Sequence, residues 1–472
     1  MGTISTQKSW NRPELKDGRN CGLVAGRREP CRHWVPIGAT NGRWLTASML
    51  LVAGISSAQE SLRNSLAGDA AAEAQRQQIG SQLYTYKAGD LRLLVIPSFE
   101  MDYNDNVTLS ETGAQQDVIL MPLVQLAGSY PLTQHNLLSF SAGVGYDDYL
   151  ERSQYSAWRV DSGSQLSFDV YIKDVWINFH DRFSSVEDPG AEASVAGTAQ
   201  YGTFNNVAGL STTWDLEDVV LTLGYDHQNS LATSGQFNYL DRSSELPLAR
   251  AGFRFNSQLT AGIEGGASFT TYDHAVLNDN QSYSAGLYAD WDPGLNLHVQ
   301  PRAGYTIYQF QHTSQSAEIY DLSLSGTPIL APAGESIQTA DLDSWYAGLT
   351  VSHQAGKAAS YAFSAGHEIR LGIQSEVVED SYFRPSITWM IFNDINLSTS
   401  LFYEHGNQGV ENITGNLVET YDWYGGGLML SYSLMKKLML SLNYRLTLRS
   451  SDLPDRGYAQ NVVGIKLAYQ PQ

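Results

Sequence analysis

Residues 91–104 read LRLLVIPSFEMDYN, and this stretch decides the fold. One face of the stretch carries only apolar or aromatic side chains, whereas the other face includes Ser98, Glu100 and Asp102. Alternation with a period of two is typical of a β-strand between an apolar and a polar environment. Soluble strands usually have about five or six residues, whereas about ten are needed to cross a bilayer at a tilt. The stretch therefore predicts a membrane-spanning strand.

The same alternation continues to residue 469, and charged side chains keep to one face. We expect strands near residues 91–104, 117–130, 136–148, 157–171, 175–184, 205–214, 219–228, 244–255, 259–271, 281–292, 295–309, 343–354, 358–369, 381–390, 395–405, 420–434, 438–449 and 458–469. An even number of strands places both ends of the chain on one side of a membrane. The sequence predicts an all-β fold, a transmembrane antiparallel up-and-down β-barrel of about eighteen strands, with sixteen as the lower alternative.

The connections between these strands alternate between short turns and longer loops. Short periplasmic turns opposite long extracellular loops are typical of outer-membrane barrels. The longest loop lies near Gln311–Ala340. Two interpretations of this loop stay open: it folds inward as a constriction, or it lies over the mouth.

The chain before the first strand is predicted to be an export signal and a short extension. Arg43 precedes the mainly apolar residues 44–55, and Ser56-Ser57-Ala58-Gln59 follows. A basic flank, a short apolar core and small residues predict a secretory signal peptide that is cleaved between Ala58 and Gln59. We therefore divide the chain into residues 1–58, a basic leader plus signal peptide; residues 59–90, a periplasmic N-terminal extension; and residues 91–472, the outer-membrane barrel.

Charge and cysteine content exclude several classes of function. The net charge is −20, and residues 1–43 hold eight basic and three acidic residues, so the remaining chain carries −25. Such a surface disfavours nucleic acid as a partner. Cys21 and Cys31 both lie in the leader, so residues 44–472 offer no disulfide and no thiolate metal site. No cofactor is predicted.

Charged residues on the polar face of the strands are the candidate pore residues. They are Glu100, Asp102, Asp161, Asp169, Arg182, Asp226, Glu264, Asp290, Arg302, Glu368, Arg384, Glu404, Arg445 and Arg449. Charges inside a barrel influence which solutes cross it. We expect a polar channel or a path for saccharides, and the alternative is a salt-bridged lumen that conducts nothing.

The sequence lacks the common catalytic motifs, and we predict that the protein is not an enzyme. Four neighbouring acid and histidine pairs were considered as a metal or hydrolase site: His180-Asp181, Asp226-His227, His367-Glu368 and Glu404-His405. Neighbours in a strand point to opposite faces, so a sequential pair cannot act together. We interpret them as hydrated rim residues.

The last strand resembles the C-terminal signal read by the barrel assembly machinery of the outer membrane. The matching positions are Gly464, Leu467 and Tyr469. Two departures are Val462, where that signal has a polar residue, and the final residues 470–472, which follow the aromatic residue. Outer-membrane lipid and this machinery are the predicted partners.

The segments Tyr103-Asn104-Asp105-Asn106-Val107 and 206–227 resemble the β-barrel porin 2 family. This resemblance implies an outer-membrane barrel, often encoded near exopolysaccharide genes, and it supplies no catalytic residues. The leading functional hypothesis is a porin-like channel for small hydrophilic or sugar-like solutes. The alternatives are an export conduit for an exopolysaccharide and a non-conducting structural barrel.

Overall fold

A computed structural model describes residues 84–469 except 134, 275–276, 295, 312–317, 321–327, 331–340, 374–376, 393 and 409–418. The predicted leader, signal peptide and most of the N-terminal extension lie outside the described residues, as does nearly all of the loop Gln311–Ala340. Within the part described, no helix combines the length and apolar character needed to cross a membrane.

Eighteen long strands are present among the described residues. They are β1 (Leu91–Asn104), β2 (Asp117–Pro131), β3 (Asn136–Tyr149), β4 (Ala157–Ile172), β5 (Val175–Val186), β6 (Thr203–Asp215), β7 (Val219–Ala232), β8 (Arg242–Asn256), β9 (Leu259–Tyr272), β10 (Asn280–Gly294), β11 (Leu297–Phe310), β12 (Leu342–Ala355), β13 (Ala359–Leu371), β14 (Val377–Phe392), β15 (Ile395–Gln408), β16 (Glu419–Met435), β17 (Leu438–Ser451) and β18 (Tyr458–Tyr469). Three short 3-10 helices lie in loops, at Ser153–Tyr155, Pro189–Ala191 and Gly235–Leu240.

The strands form one closed antiparallel sheet. Each strand pairs with the next along the chain, and β18 returns to pair with β1 from Ser98–Ala468 to Asn104–Val462. The first part of β1 pairs with a short strand, Tyr86–Ala88. The predicted all-β up-and-down barrel is confirmed, with eighteen strands rather than sixteen.

Side chains alternate between the two surfaces of the wall. On the outer surface, Ile263 and Leu287 are 61% and 65% exposed at mid-strand. The adjacent interior positions include Glu264, which is only 3% exposed. At mid-strand the apolar side chains face outward and the charged ones are buried inside, which is the reverse of a soluble β-protein.

The two ends of the barrel differ in their connections. At one end, here called the short-turn end, strands are joined by two to four residues, and residues such as Lys173 and Asn296 adopt positive φ angles of 54° and 59°. Such angles suit two-residue hairpin turns. The opposite end, here called the long-loop end, carries the longer connections.

Tyrosines on the inner wall lie sideways over glycines of neighbouring strands. The ring of Tyr346 covers Gly286 and Gly304, and the hydroxyl of Tyr382 covers Gly366. A Cβ atom at these glycines would overlap the tyrosine. The glycines therefore let large rings lie flat against the wall.

Candidate functional site

All fourteen candidate pore residues occupy interior positions of their strands. The strands alternate along these positions, with local register shifts such as the bulge in β4 between Val160 and Ser164. Most of these charges meet an opposite charge or a hydrogen-bonding group. The interior is therefore a set of local ion pairs rather than an acidic wall facing a basic one.

One carboxylate on each of β1, β4, β7 and β9 is bound by a basic residue. Lys466 contacts Glu100 at 3.0 Å, and Arg159 contacts Asp161 at 3.2 Å. Three further contacts involve Asp226 and Glu264. His180 Nε2 lies 2.9 Å from Asp226 Oδ1, with Arg182 at 3.7 Å from the other oxygen, and Arg250 lies 3.1 Å from Glu264.

The remaining candidates on this part of the wall also contact neutral groups. Asp169 is 2% exposed and accepts hydrogen bonds from Trp176 and Asn178. Asp102 accepts one from Asn443 at 3.4 Å, and Asp290 accepts one from Gln300 at 2.9 Å. The Arg302 side chain lies beside Gly348. Asp169 is thus held in place as a structural acceptor close to the β4–β5 turn.

A second group of charges surrounds Arg370 of β13, which is 1% exposed. Its guanidinium lies 2.7 Å from Asp380, 3.2 Å from Glu404 and 2.6 Å from Glu192. Arg384 contacts the other oxygen of Glu404 at 2.8 Å. Glu368 is also buried at this level.

A third group lies on β16 and β17. Arg449 and Arg456 contact the same oxygen of Glu419, at 2.7 and 2.8 Å. Arg449 also donates to the carbonyl of Ala193, and Arg456 donates to that of Ser194. These two arginines therefore join the wall to a loop.

That loop, residues 187–202 between β5 and β6, folds into the barrel and is called the inner segment below. Arg445 binds Asp188 at 3.3 Å, so four arginines hold it: Arg370, Arg445, Arg449 and Arg456. Burial alone would raise the pKa of Glu192, but the Arg370 guanidinium and hydrogen bonds from Arg370 and Ser194 hold that pKa below its ordinary value. Glu192 is therefore charged at neutral pH and forms an ion pair with Arg370.

Apolar side chains from five loops meet above these charges in one buried core. Its members are Leu109, Ala193, Val195, Ala196, Phe237, Tyr239, Leu240, Tyr272, Leu277, Ile373, Val378, Tyr421, Trp423 and Tyr458. Tyr272 belongs to β9 and Tyr458 to β18, which are nine strands apart in a ring of eighteen. The core therefore reaches from one side of the lumen to the other at the long-loop end.

The short-turn end is different, since interior side chains there are hydrated. Gln300 and Thr350 are interior by alternation and yet exposed to solvent. Asp292 and His298 form an exposed pair at 2.6 Å. The lumen is therefore open to water at this end and filled by loops at the other.

The four acid and histidine pairs do not form one site. His180 meets Asp226 inside the barrel, whereas the other three histidines face outward and pair across strands: His227 with Glu245, His367 with Glu379, and His405 with Asp422. Among the residues the structure covers, no three His, Cys, Asp or Glu side chains are placed to hold a metal ion.

Sequence reasoning missed the inner segment and its main contacts. Arg370 lies one residue beyond the predicted end of its strand, although its alternation with Glu368 places it inside. Glu192, Asp380, Glu419 and Arg456 were also absent from the candidates. The inner segment reads EDPGAEASVAGTAQYG, and its many small residues are a usable signal of packing in a narrow space.

The predicted assembly residues lie in β18. Leu467 is on the outer surface and 39% exposed. Tyr469 is also outward by alternation, and Gly464 lies inside beneath Asp102 and Asn443. A side chain at position 464 would overlap both residues, so close packing alone is enough to explain a glycine there. Ala58 and Gln59 lie outside the described residues.

Comparison with known proteins gives neighbours of the barrel but no close relative. No protein-family model matches the chain, and no curated protein matches it. It is similar to Pseudomonas aeruginosa OccK2 (OpdF) in complex with glucuronate, with 9% identity and a TM-score of 0.45 over 80% of this chain and 98% of that one. It is also similar to P. aeruginosa OpdK with vanillate, with 10% identity and a TM-score of 0.42 over 80% and 98% of the two chains. A third is P. aeruginosa OpdQ, with 8% identity and a TM-score of 0.44 over 81% and 99%.

Proposed function

We propose that the protein is a porin-like channel of an outer membrane for small hydrophilic or sugar-like solutes. The observation that carries this proposal is the closed eighteen-strand wall with apolar side chains outside and buried ion pairs inside. Only a closed sheet satisfies its backbone hydrogen bonds in lipid. A barrel of this size encloses a water-filled lumen unless something plugs it.

The orientation follows from the two ends. The short-turn end, which also holds both termini of the barrel, faces the periplasm, and the long-loop end faces outward. The candidate pore residues, together with Arg370 and Glu192, shape the path of the solute. The structures of OccK2 and OpdK are complexes with glucuronate and vanillate, and by analogy we extend small polar solutes to this chain.

Further parts of the proposal concern residues and partners outside the lumen. A signal peptide is cleaved between Ala58 and Gln59, residues 59–90 form a periplasmic extension, and Gly464, Leu467 and Tyr469 are read by the assembly machinery. We place the chain beside the β-barrel porin 2 family, with exopolysaccharide export as the alternative cargo. Catalysis has no part in this proposal.

A second candidate, a non-conducting structural barrel, is favoured by the buried core that crosses the lumen. Planar-bilayer conductance of the refolded chain separates the two. Ion conduction at any voltage supports the channel. A closed trace at all voltages, both in the full chain and in a variant lacking the inner segment, contradicts it and supports the structural barrel.

A further inference from the structure

Two arginines at the long-loop end share a single carboxylate oxygen. Arg449 Nη2 and Arg456 Nε both contact Glu419 Oε1. They also donate to neutral peptide carbonyls, at Ala193 and Ser194 of the inner segment and at Arg456 itself. The two guanidinium groups therefore contact one carboxylate, and their other acceptors are neutral carbonyl oxygens.

Two other carboxylates at this end already have partners. Asp188 contacts Arg445 at 3.3 Å, and the exposed Glu111 accepts from the backbone of Gly457 at 3.3 Å. Hydrogen bonds to an ionised acceptor are about twice as strong as those to a neutral one. A solute carboxylate or phosphate would therefore bind the two guanidinium groups better than the peptide carbonyls do.

The site borders a cavity, and residues 189–199 of the inner segment add only small apolar side chains to the core. The cavity, of about 310 Å³, is lined by Arg449, Tyr458, Ser451 and Glu111, among others, and the Arg456 side chain is 13% exposed. Cavities that hold small molecules begin at about 300 Å³. The small side chains are those of Ala193, Val195 and Ala196, whereas Tyr201 near the end of the segment packs against Phe237. Removal of the three small side chains from the core costs less than removal of an aromatic side chain.

We propose that the inner segment is a displaceable plug, and that an anionic solute loosens it by replacing its carbonyls on Arg449 and Arg456, while Arg370 and Arg445 still tether it through Glu192 and Asp188. This inference rests on the proposed channel function and names the chemistry that opens it. The solute class is a small acid with a carboxylate or phosphate group, such as an acidic sugar.

The test is single-channel recording of the full chain in planar bilayers, with a hexuronate, glucose or inorganic phosphate added on the long-loop side. For the hexuronate we expect about a tenfold rise in open probability, and no change with glucose. Arg456→Gln should show raised basal opening and no further response. Arg152→Gln is the matched control, because Arg152 also binds loop groups at this end, at Asp117 and Gln115, but does not contact the inner segment.

The outcomes separate this inference from the channel itself. A response to phosphate as well supports the anion site and extends it to free phosphate. If Arg456→Gln behaves like Arg152→Gln and the hexuronate has no effect, the inference is wrong. A variant with residues 189–199 replaced by a short Gly-Ser linker then decides about the channel: conduction by this variant leaves the channel function standing, and a closed trace removes both.

Discussion

Replacement of Arg370 by glutamine tests whether the buried charges hold the barrel interior together. Arg370 is 1% exposed and contacts Asp380, Glu404 and Glu192 at 2.7, 3.2 and 2.6 Å. The Arg370→Gln variant keeps a polar side chain of intermediate length but removes the positive charge. Glu404 then keeps its contact with Arg384, whereas Asp380 and Glu192 lose their contacts with Arg370.

Removal of one partner from a buried ion pair typically costs about 3–5 kcal/mol, because the remaining charge stays buried without compensation. We expect a loss of that size in the free energy of unfolding. Arg254→Gln is the control, since Arg254 forms a pair with Asp215 at 3.1 Å whose side chains are 35% and 52% exposed. Exposed pairs contribute about 1 kcal/mol or less.

Guanidinium titration of both variants in lipid vesicles, followed by tryptophan fluorescence, measures the two free energies. The chain has 10 tryptophans to report unfolding. Equal losses in the two variants would refute the reasoning.

Three further predictions concern the inner segment, the outer surface and the wall. Burial alone would raise the pKa of Glu192, but Arg370 holds it below its ordinary value of 4.5, so the ion pair persists above that pH and is lost only as pH falls through the lowered pKa. Protection of the inner-segment amides from hydrogen exchange, corrected for the intrinsic exchange rate, should therefore stay constant between about pH 7 and 5, and a step in that window would contradict the assignment. Leu287→Arg, on the outer surface, should lower the free energy of unfolding in vesicles by about 2–4 kcal/mol. The interior Thr350→Arg should leave that free energy unchanged. Similar losses in the two variants would argue against contact between Leu287 and lipid. Gly304→Ala forces a methyl group into a tyrosine ring and should cost about 1–3 kcal/mol in the same titration, whereas Gly265→Ala meets only a backbone oxygen at 3.5 Å and serves as the neutral comparison.

The strands could be predicted because the side chains of each strand alternate between residues suited to an apolar environment and residues suited to a polar one. The bounds of β1 and β18 agree with the alternation in the sequence, because their side chains meet an apolar environment on one surface and a polar one on the other. The prediction is less accurate at strand ends. β14 begins at Val377 rather than near residue 381, since both Val377 and Val378 are buried under loops and the alternation is lost there.

The charged groups could be predicted one by one, but their assembly could not. Alternation places Glu404 and Arg384 inside, and the structure brings them together at 2.8 Å. The contact of Glu192 with Arg370 joins residues 178 positions apart, and no local pattern encodes it. The inner segment has no periodicity, because it packs against several strands at once.

The closing contact of the barrel is its shortest one. β1 and β18 share seven residue pairs, from Ser98 to Asn104, whereas β1 and β2 share thirteen. The two strands come from opposite ends of the barrel sequence, so the ring is completed only after the last strand has been synthesised. We expect the wall to part along this line first when it is pulled or denatured. The short strand Tyr86–Ala88 covers the free edge of β1. Without it, this edge could pair with a strand of another chain.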